Sequence, residues 1–148
     1  MAGVRGTMAA NNVDTTGSTK TILQAIAASN HRMHITAWDI AFQGTSNSGT
    51  PIEVELVRQT SAGTVTDGTP VKANDGDDET LQSDFGYDAT AEPSGTDVVW
   101  STMVHPQTGY TWQAVPGREL VIKRGGRLGW RVTTSTAVDC SITVEFEE

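Results

Sequence analysis

The stretch VDCSITVEFE, residues 138 to 147, alternates apolar and polar side chains over ten consecutive positions. Its apolar members are Val138, Cys140, Ile142, Val144 and Phe146. Successive side chains of a β-strand point to opposite faces, so this alternation predicts a strand with one dry face and one wet face. A dry face has to be covered, which implies a fold built from at least two packed layers.

The residues just before this stretch predict two more strands, at 120–123 and 128–134. They flank Gly125-Gly126, a dipeptide that can adopt the positive φ angles of a tight hairpin. The last thirty residues are therefore interpreted as three antiparallel strands that share one dry face.

Further strands are predicted upstream by alternation and by the turn residues between them. They cover residues 33–42, 52–59, 64–66, 81–87, 98–104 and 110–114. Residues 21–28 alternate weakly, and a short helix remains an alternative there because Ala and Leu favour helix. Residues 44–51 are rich in Gly, Ser, Thr and Asn, which predicts a loop.

About eight strands, with no long helix and no alternation of strands and helices, predict an all-β protein. We expect an antiparallel β-sandwich of the jelly-roll type, formed by one domain over residues 20–148. Residues 1–19 carry few large apolar side chains, which predicts a flexible N-terminal arm that could order on a neighbouring subunit.

Charge and hydropathy narrow the classes of partner. The formal net charge of −8 argues against nucleic acid, because phosphate binding requires a basic surface. No stretch of about twenty apolar residues is present, so no membrane partner is expected. The N-terminus lacks the basic start and apolar run of a secretory signal. The single Cys140 is predicted to be a small buried hydrophobe.

Candidate metal and catalytic residues do not form a recognisable site. His31 and His34 are an odd number of positions apart, so on a regular strand they would face opposite sides and could not share an ion. The acidic loop Asp75 to Glu79 has an oxygen-rich spacing, and calcium binding there is a hypothesis beside that of a solvated loop. No nucleophile and base are brought together by spacing. No enzyme activity, cofactor or metal is predicted.

Four tryptophans remain, at positions 38, 100, 112 and 130. Each lies in a predicted strand, and three are in phase with Ile, Val or Leu neighbours, which favours packing in a core or an interface. Tryptophan faces also stack on sugar rings, so a carbohydrate-binding module is kept as an alternative.

Several segments together resemble a known group of virion proteins. They are Thr21 to Gln24, Ile35 to Gly44, the run PIEVELVR at 51–58, Glu92-Pro93, Val104 to Gln107, Arg118 to Ile122 and Gly126 to Gly129. Over residues 20 to 148 the chain resembles head decoration (cement) proteins of tailed bacteriophages, which have a jelly-roll, tumour-necrosis-factor-like form. The resemblance implies a homotrimer made in the host cytoplasm that binds the major capsid protein on the outer capsid surface and stabilises the virion.

A clamp of this kind needs contact residues and no catalytic ones. Two segments are proposed for contact with the capsid or a neighbouring subunit: the N-terminal arm and the basic ribbon between Arg118 and Arg131. The candidate contact residues are Val4, Arg5, Met8, Asn11, Asn12, Lys20, Arg118, Arg124, Arg127 and Arg131. A phage tail, baseplate or fibre component is an alternative within the same class.

Overall fold

A computed structural model describes residues 3–43 and 50–148, which form twelve β-strands in two antiparallel sheets. The strands are β1 (Arg5–Asp14), β2 (Thr19–Ile26), β3 (Met33–Gln43), β4 (Ile52–Gln59), β5 (Thr64–Gly68), β6 (Val71–Lys72), β7 (Asp84–Ala91), β8 (Asp97–Val104), β9 (Tyr110–Gln113), β10 (Leu120–Ile122), β11 (Arg127–Thr133) and β12 (Asp139–Glu147). The predicted β-sandwich is confirmed, with twelve strands rather than eight. The predicted loop at 44–51 lies mostly outside the described residues.

The strand order in the two sheets explains the higher count. The first sheet has the order β10-β3-β12-β1-β6, with β9 beside β3, and the second has the order β5-β7-β2-β11-β4-β8. Strands β9 and β10 lie end to end along one edge of β3. Strands β5 to β7 belong to an insertion between β4 and β8. When β9 and β10 are counted as one strand, eight strands remain, in the orders β9/β10-β3-β12-β1 and β2-β11-β4-β8. This is the connectivity of a jelly roll.

The N-terminal segment is the main correction to the predicted organisation. Residues 5–14 were expected to belong to a flexible arm, but they form β1, which pairs with β12 on one side and β6 on the other. Met8 is completely buried, as expected of a core residue. The prediction of an arm outside the domain is therefore wrong for residues 5–14, and the domain begins before residue 20.

Close packing explains why β1 has so few large apolar residues. A Cβ atom on Gly6 would lie 2.6 Å from Cζ of Phe146, so the aromatic ring occupies the space where a side chain would be. The pairing with β12 shifts between Ala10 and Val13, which marks a β-bulge at Asn11 and Asn12. Small residues and a bulge hide the alternation of this strand.

The C-terminal strands also differ from the prediction. Strands β10 and β12 belong to the first sheet, whereas β11 belongs to the second and pairs with β2 and β4. The turn at Gly125-Gly126 therefore passes from one sheet to the other, and the predicted three-stranded array is wrong. Each strand still has one dry face, because both sheets present their apolar faces to the same core.

The core lies between the sheets and contains the predicted apolar faces. Trp38, Trp130 and Phe146 are among its largest fully buried side chains. Cys140 is also fully buried, as predicted, and burial raises the pKa of its thiol far above the usual value.

The weakly alternating segment at 21–28 belongs to a strand and not a helix. No helix that could cross a membrane occurs in the described ranges.

A partly buried polar network connects the segment after β7 to strands β2, β4 and β11. Glu92 accepts hydrogen bonds from the backbone N–H and the hydroxyl of Thr21, at 2.6 and 2.7 Å. Thr21 Oγ1 accepts from Gln59 Nε2, and Gln59 Oε1 accepts from Gln24 Nε2. Arg127 Nη1 then donates to Gln24 Oε1 at 3.1 Å. The chain of bonds runs from a carboxylate to a guanidinium and satisfies side chains that are buried.

Candidate interaction surfaces

Of the four large apolar side chains that are exposed in the described residues, three lie on or beside the strands of one edge of the sandwich. Strand β8 ends the second sheet, and β9 and β10 end the first, on the same side of the sandwich. Here Val98 and Met103 on β8 are 44% and 58% exposed, and Val115, in the connection from β9 to β10, is 64% exposed. Exposed apolar side chains on edge strands can take part in contacts with other proteins, so this open edge is a candidate protein-binding surface.

An aromatic cluster supports the open edge from beneath. Trp100 on β8 and Tyr110 on β9 are both half-buried, and their ring centroids lie 5.4 Å apart. Each also lies 5.4 Å from the ring of Trp38, whose ring is in turn 6.5 Å from that of Trp130. The cluster runs from the core to the surface, so the open edge rests on rigid packing.

A basic groove of about 690 Å³ lies at one end of the same edge. It is lined by residues from the ends of β4, β8 and β10 and from the start of β11. Four cationic side chains line it, those of Arg32, Arg58, Lys123 and Arg127, against the single carboxylate of Asp97. In a chain with a net charge of −8, this is a local concentration of positive charge.

Two of the groove cations are engaged within the protein. Arg58 Nη1 donates to the carbonyl of Val121 at 3.3 Å, and Arg127 is bound to Gln24 as described above. The side chains of Arg32 and Lys123 are exposed and, within residues 3–43 and 50–148, form no ion pair or side-chain hydrogen bond. The groove therefore offers charge that the described part of the chain does not neutralise.

The opposite edge of the first sheet carries the opposite charge. The connection after β6 contains the acidic loop, residues 75–79, with the carboxylates of Asp75, Asp77, Asp78 and Glu79. Within the described residues none of these four carboxylates forms an ion pair, and the Lys72 ammonium lies beside them, with Nζ donating to the main-chain oxygen of Asp77 at 2.7 Å. Beside the loop, Val71 on β6 is 65% exposed.

The N-terminal candidates for capsid contact divide into buried and exposed residues. Val4 and Met8 are buried core residues, so their side chains offer no surface to a partner in this fold. Lys20 is also buried, with Nζ 2.5 Å from Oδ1 of Asp88. The exposed candidates of this segment are Arg5, Asn11 and Asn12.

The basic ribbon does not form one face. Arg131 is paired with Glu55, whose Oε2 accepts from Nη2 at 2.7 Å and from Nε at 3.0 Å. Arg127 lines the basic groove, whereas Arg118 and Arg124 are exposed outside it. The strand crossing between sheets separates these residues, so the structure does not bring the predicted set together.

His31 and His34 do not face opposite sides, as their spacing on a regular strand predicted. His31 precedes β3, so the alternation of a strand does not apply to it, and both His31 and His34 line one depression with Glu119 and Glu148. His31 Nε2 lies 3.9 Å from Glu148 Oε2. Within the described residues, no group of three or more possible ligands is arranged to hold a metal ion. Calcium binding at the acidic loop remains a hypothesis.

Sequence reasoning missed the basic groove, since its cations come from four separate segments. Arg32 precedes β3, Arg58 is in β4, Lys123 follows β10 and Arg127 starts β11. Of the arginines predicted for the basic ribbon, Arg127 alone is among the groove cations, so that prediction did not locate the groove.

In comparisons with protein families, characterised proteins and solved structures, the chain matches none.

Proposed function

We propose that the protein is a non-enzymatic virion structural protein that binds the outside of a phage capsid as a homotrimer and stabilises the shell. The proposal begins from the resemblance, which implies a jelly-roll sandwich, and the strand order is that of a jelly roll. A fold supports many functions, so the fold alone does not carry the proposal.

The observation that carries the proposal is the open edge formed by β8, β9 and β10. Val98, Met103 and Val115 are exposed on or beside its strands, and Trp100 and Tyr110 of the same strands belong to the aromatic cluster. Such an edge would expose the protein to aggregation unless another protein covers it. In a homotrimer the edge of each copy is buried against a neighbouring copy, while the outer surface remains free for the capsid.

The exposed members of the predicted contact set are the candidates for the capsid surface. They are Arg5, Asn11, Asn12, Arg118 and Arg124. Contacts of this kind are individually modest, but a trimer that engages three equivalent capsid sites gains effective concentration from each contact already made. The mechanism is therefore burial of surface and multivalency, without a chemical step.

The test is co-sedimentation of the purified protein with empty expanded heads assembled from the major capsid protein of the same genome. We expect saturable binding and a higher temperature of head disruption. R124E should weaken binding at least tenfold by reversing an exposed cation. The control Q107E/S135E changes the net charge by the same two units, from −8 to −10, at the other end of the sandwich and should bind normally. Failure of the wild-type protein to bind heads would contradict the proposal.

A carbohydrate-binding module is the second candidate, favoured by one observation. Trp100, Tyr110 and Trp112 are only partly buried and lie on neighbouring edge strands. Partly exposed aromatic rings can stack on the faces of sugar rings. Quenching of tryptophan fluorescence by soluble oligosaccharides, reduced by W112A, would support this candidate over capsid decoration.

A further inference from the structure

The structure places a basic groove and an acidic loop on opposite edges of the same sandwich. The groove lies beside β10, at one end of the first sheet, and the acidic loop follows β6, at the other end. Within the described residues, Arg32 and Lys123 of the groove and the four carboxylates of the loop form no ion pair, so the groove has an excess of positive charge and the loop an excess of negative charge. Each also has exposed apolar side chains beside it: Val98 near the groove and Val71 near the loop.

The two features also lie at the same level along the strands. Strand β10 pairs with the start of β3, at Met33 to Ile35, and β12 pairs there through its final residues. Strand β6 pairs with Gly6 and Thr7, next to the same end of β12. Groove and loop are therefore both near the end of the sandwich at which β3 begins and β12 ends.

This arrangement determines how copies can meet. A contact between two different patches is heterologous, and it produces a closed ring when a rotation alone relates the copies. Since groove and loop are level, a rotation about an axis parallel to the strands can bring the loop of one copy to the groove of the next without displacing it along the axis.

We propose that the basic groove receives the acidic loop of a second copy of this chain, in a head-to-tail contact. The free cations of Arg32 and Lys123 meet the carboxylates of the loop, while Val71 covers part of the apolar edge beside the groove. Charge complementarity of this kind sets the register of a contact and suppresses the groove-to-groove alternative. The inference rests on the homo-oligomer within the proposed function and identifies its two surfaces.

Charge reversal on each side, and then on both, tests the contact. K123E changes the net charge from −8 to −10 and puts a carboxylate in the groove, while D78K changes it to −6 and puts a cation in the loop. We expect each to raise the dissociation constant of the oligomer at least tenfold, measured by sedimentation velocity over a dilution series. The double variant K123E/D78K should return the constant to within threefold of the wild type.

A matched control separates local pairing from total charge. Q107E/S135E also has a net charge of −10, but its substitutions are exposed and lie at the opposite end of the sandwich. It should associate like the wild type, and Q107E/S135E/D78K, with net charge −8, should associate no better than D78K. Circular dichroism spectra and melting curves identify any variant that fails to fold; R32E then replaces K123E, or D75K replaces D78K.

The outcomes separate this inference from the proposed function. An oligomer that K123E and D78K leave unchanged, or a double variant that shows no recovery, would overturn the groove-to-loop contact, whereas head binding is measured independently. A wild-type chain that is monomeric at every concentration would also overturn it. If the groove binds inorganic phosphate or a capsid peptide in place of the loop, K123E should weaken the binding of that ligand and D78K should not.

Discussion

Replacement of Met8 by alanine tests whether the N-terminal segment is part of the folded core. Met8 is completely buried on β1, opposite Val144 of β12. The substitution removes the buried thioether chain and leaves a cavity that the surrounding sheets can only partly close. Met-to-Ala changes at such sites cost about 2 to 5 kcal/mol of the free energy of unfolding. The full burial of Met8 leads us to expect a loss within that range.

The assay is urea denaturation followed by circular dichroism, at several protein concentrations, because association couples stability to concentration. Arg5 on the same strand is exposed, so R5A is the matched control and should change the free energy of unfolding by less than about 0.5 kcal/mol. If M8A lowers the free energy of unfolding no more than R5A does, the placement of β1 in the sandwich is refuted and the prediction of a flexible arm is supported.

Three further substitutions test the core, its surface and the polar network. The wild-type protein should lose stability above about pH 8.5, because the unfolded Cys140 thiol ionises there while the buried thiol of the folded protein, whose pKa is raised, stays protonated. C140A should lack this pH-dependent loss, which urea melts at pH 7 and 9.5 measure. Partial desolvation, followed by repulsion from Glu145, raises the pKa of the exposed Asp39, so its ionisation disfavours the folded state. D39N should be the more stable protein at pH 7, with an advantage that vanishes as the pH falls below the unfolded pKa of aspartate; an advantage independent of pH would contradict this. E92A should cost about 1 to 3 kcal/mol by leaving the N–H and hydroxyl of the buried Thr21 unpaired, whereas D67A, at an exposed carboxylate on β5 outside the groove and the acidic loop, should cost almost nothing in the same urea melts.

The sequence predicted strands best where large apolar side chains alternate. The segments at 33–42, 52–59 and 98–104 were placed within one residue of β3, β4 and β8. Strand β1 was missed because the residues that face its core include Gly6 and Ala10, which carry almost no hydrophobic signal. Gly6 is small because the ring of Phe146 fills its space, a long-range reason that local sequence does not contain.

Pairing partners were harder to predict than strands. The turn at Gly125-Gly126 is tight, with a φ of 63° at Gly125, and local rules assign such a turn to a hairpin. It joins two sheets instead, because β10 pairs with β3 and β11 pairs with β2 and β4. The candidate contact residues lie on different surfaces for the same reason, since strands that follow one another along the chain often belong to different sheets of a jelly roll.

The solution mass of the intact chain, measured by multi-angle light scattering over a dilution series, examines the assembly on which both proposals rest. Three copies of the 15.7 kDa chain have a mass of about 47 kDa. We predict this mass at micromolar concentration, decreasing towards the monomer at high salt because the groove-to-loop contact is electrostatic. A mass of 15.7 kDa at every concentration and salt would contradict a trimer closed through the edges of the sandwich.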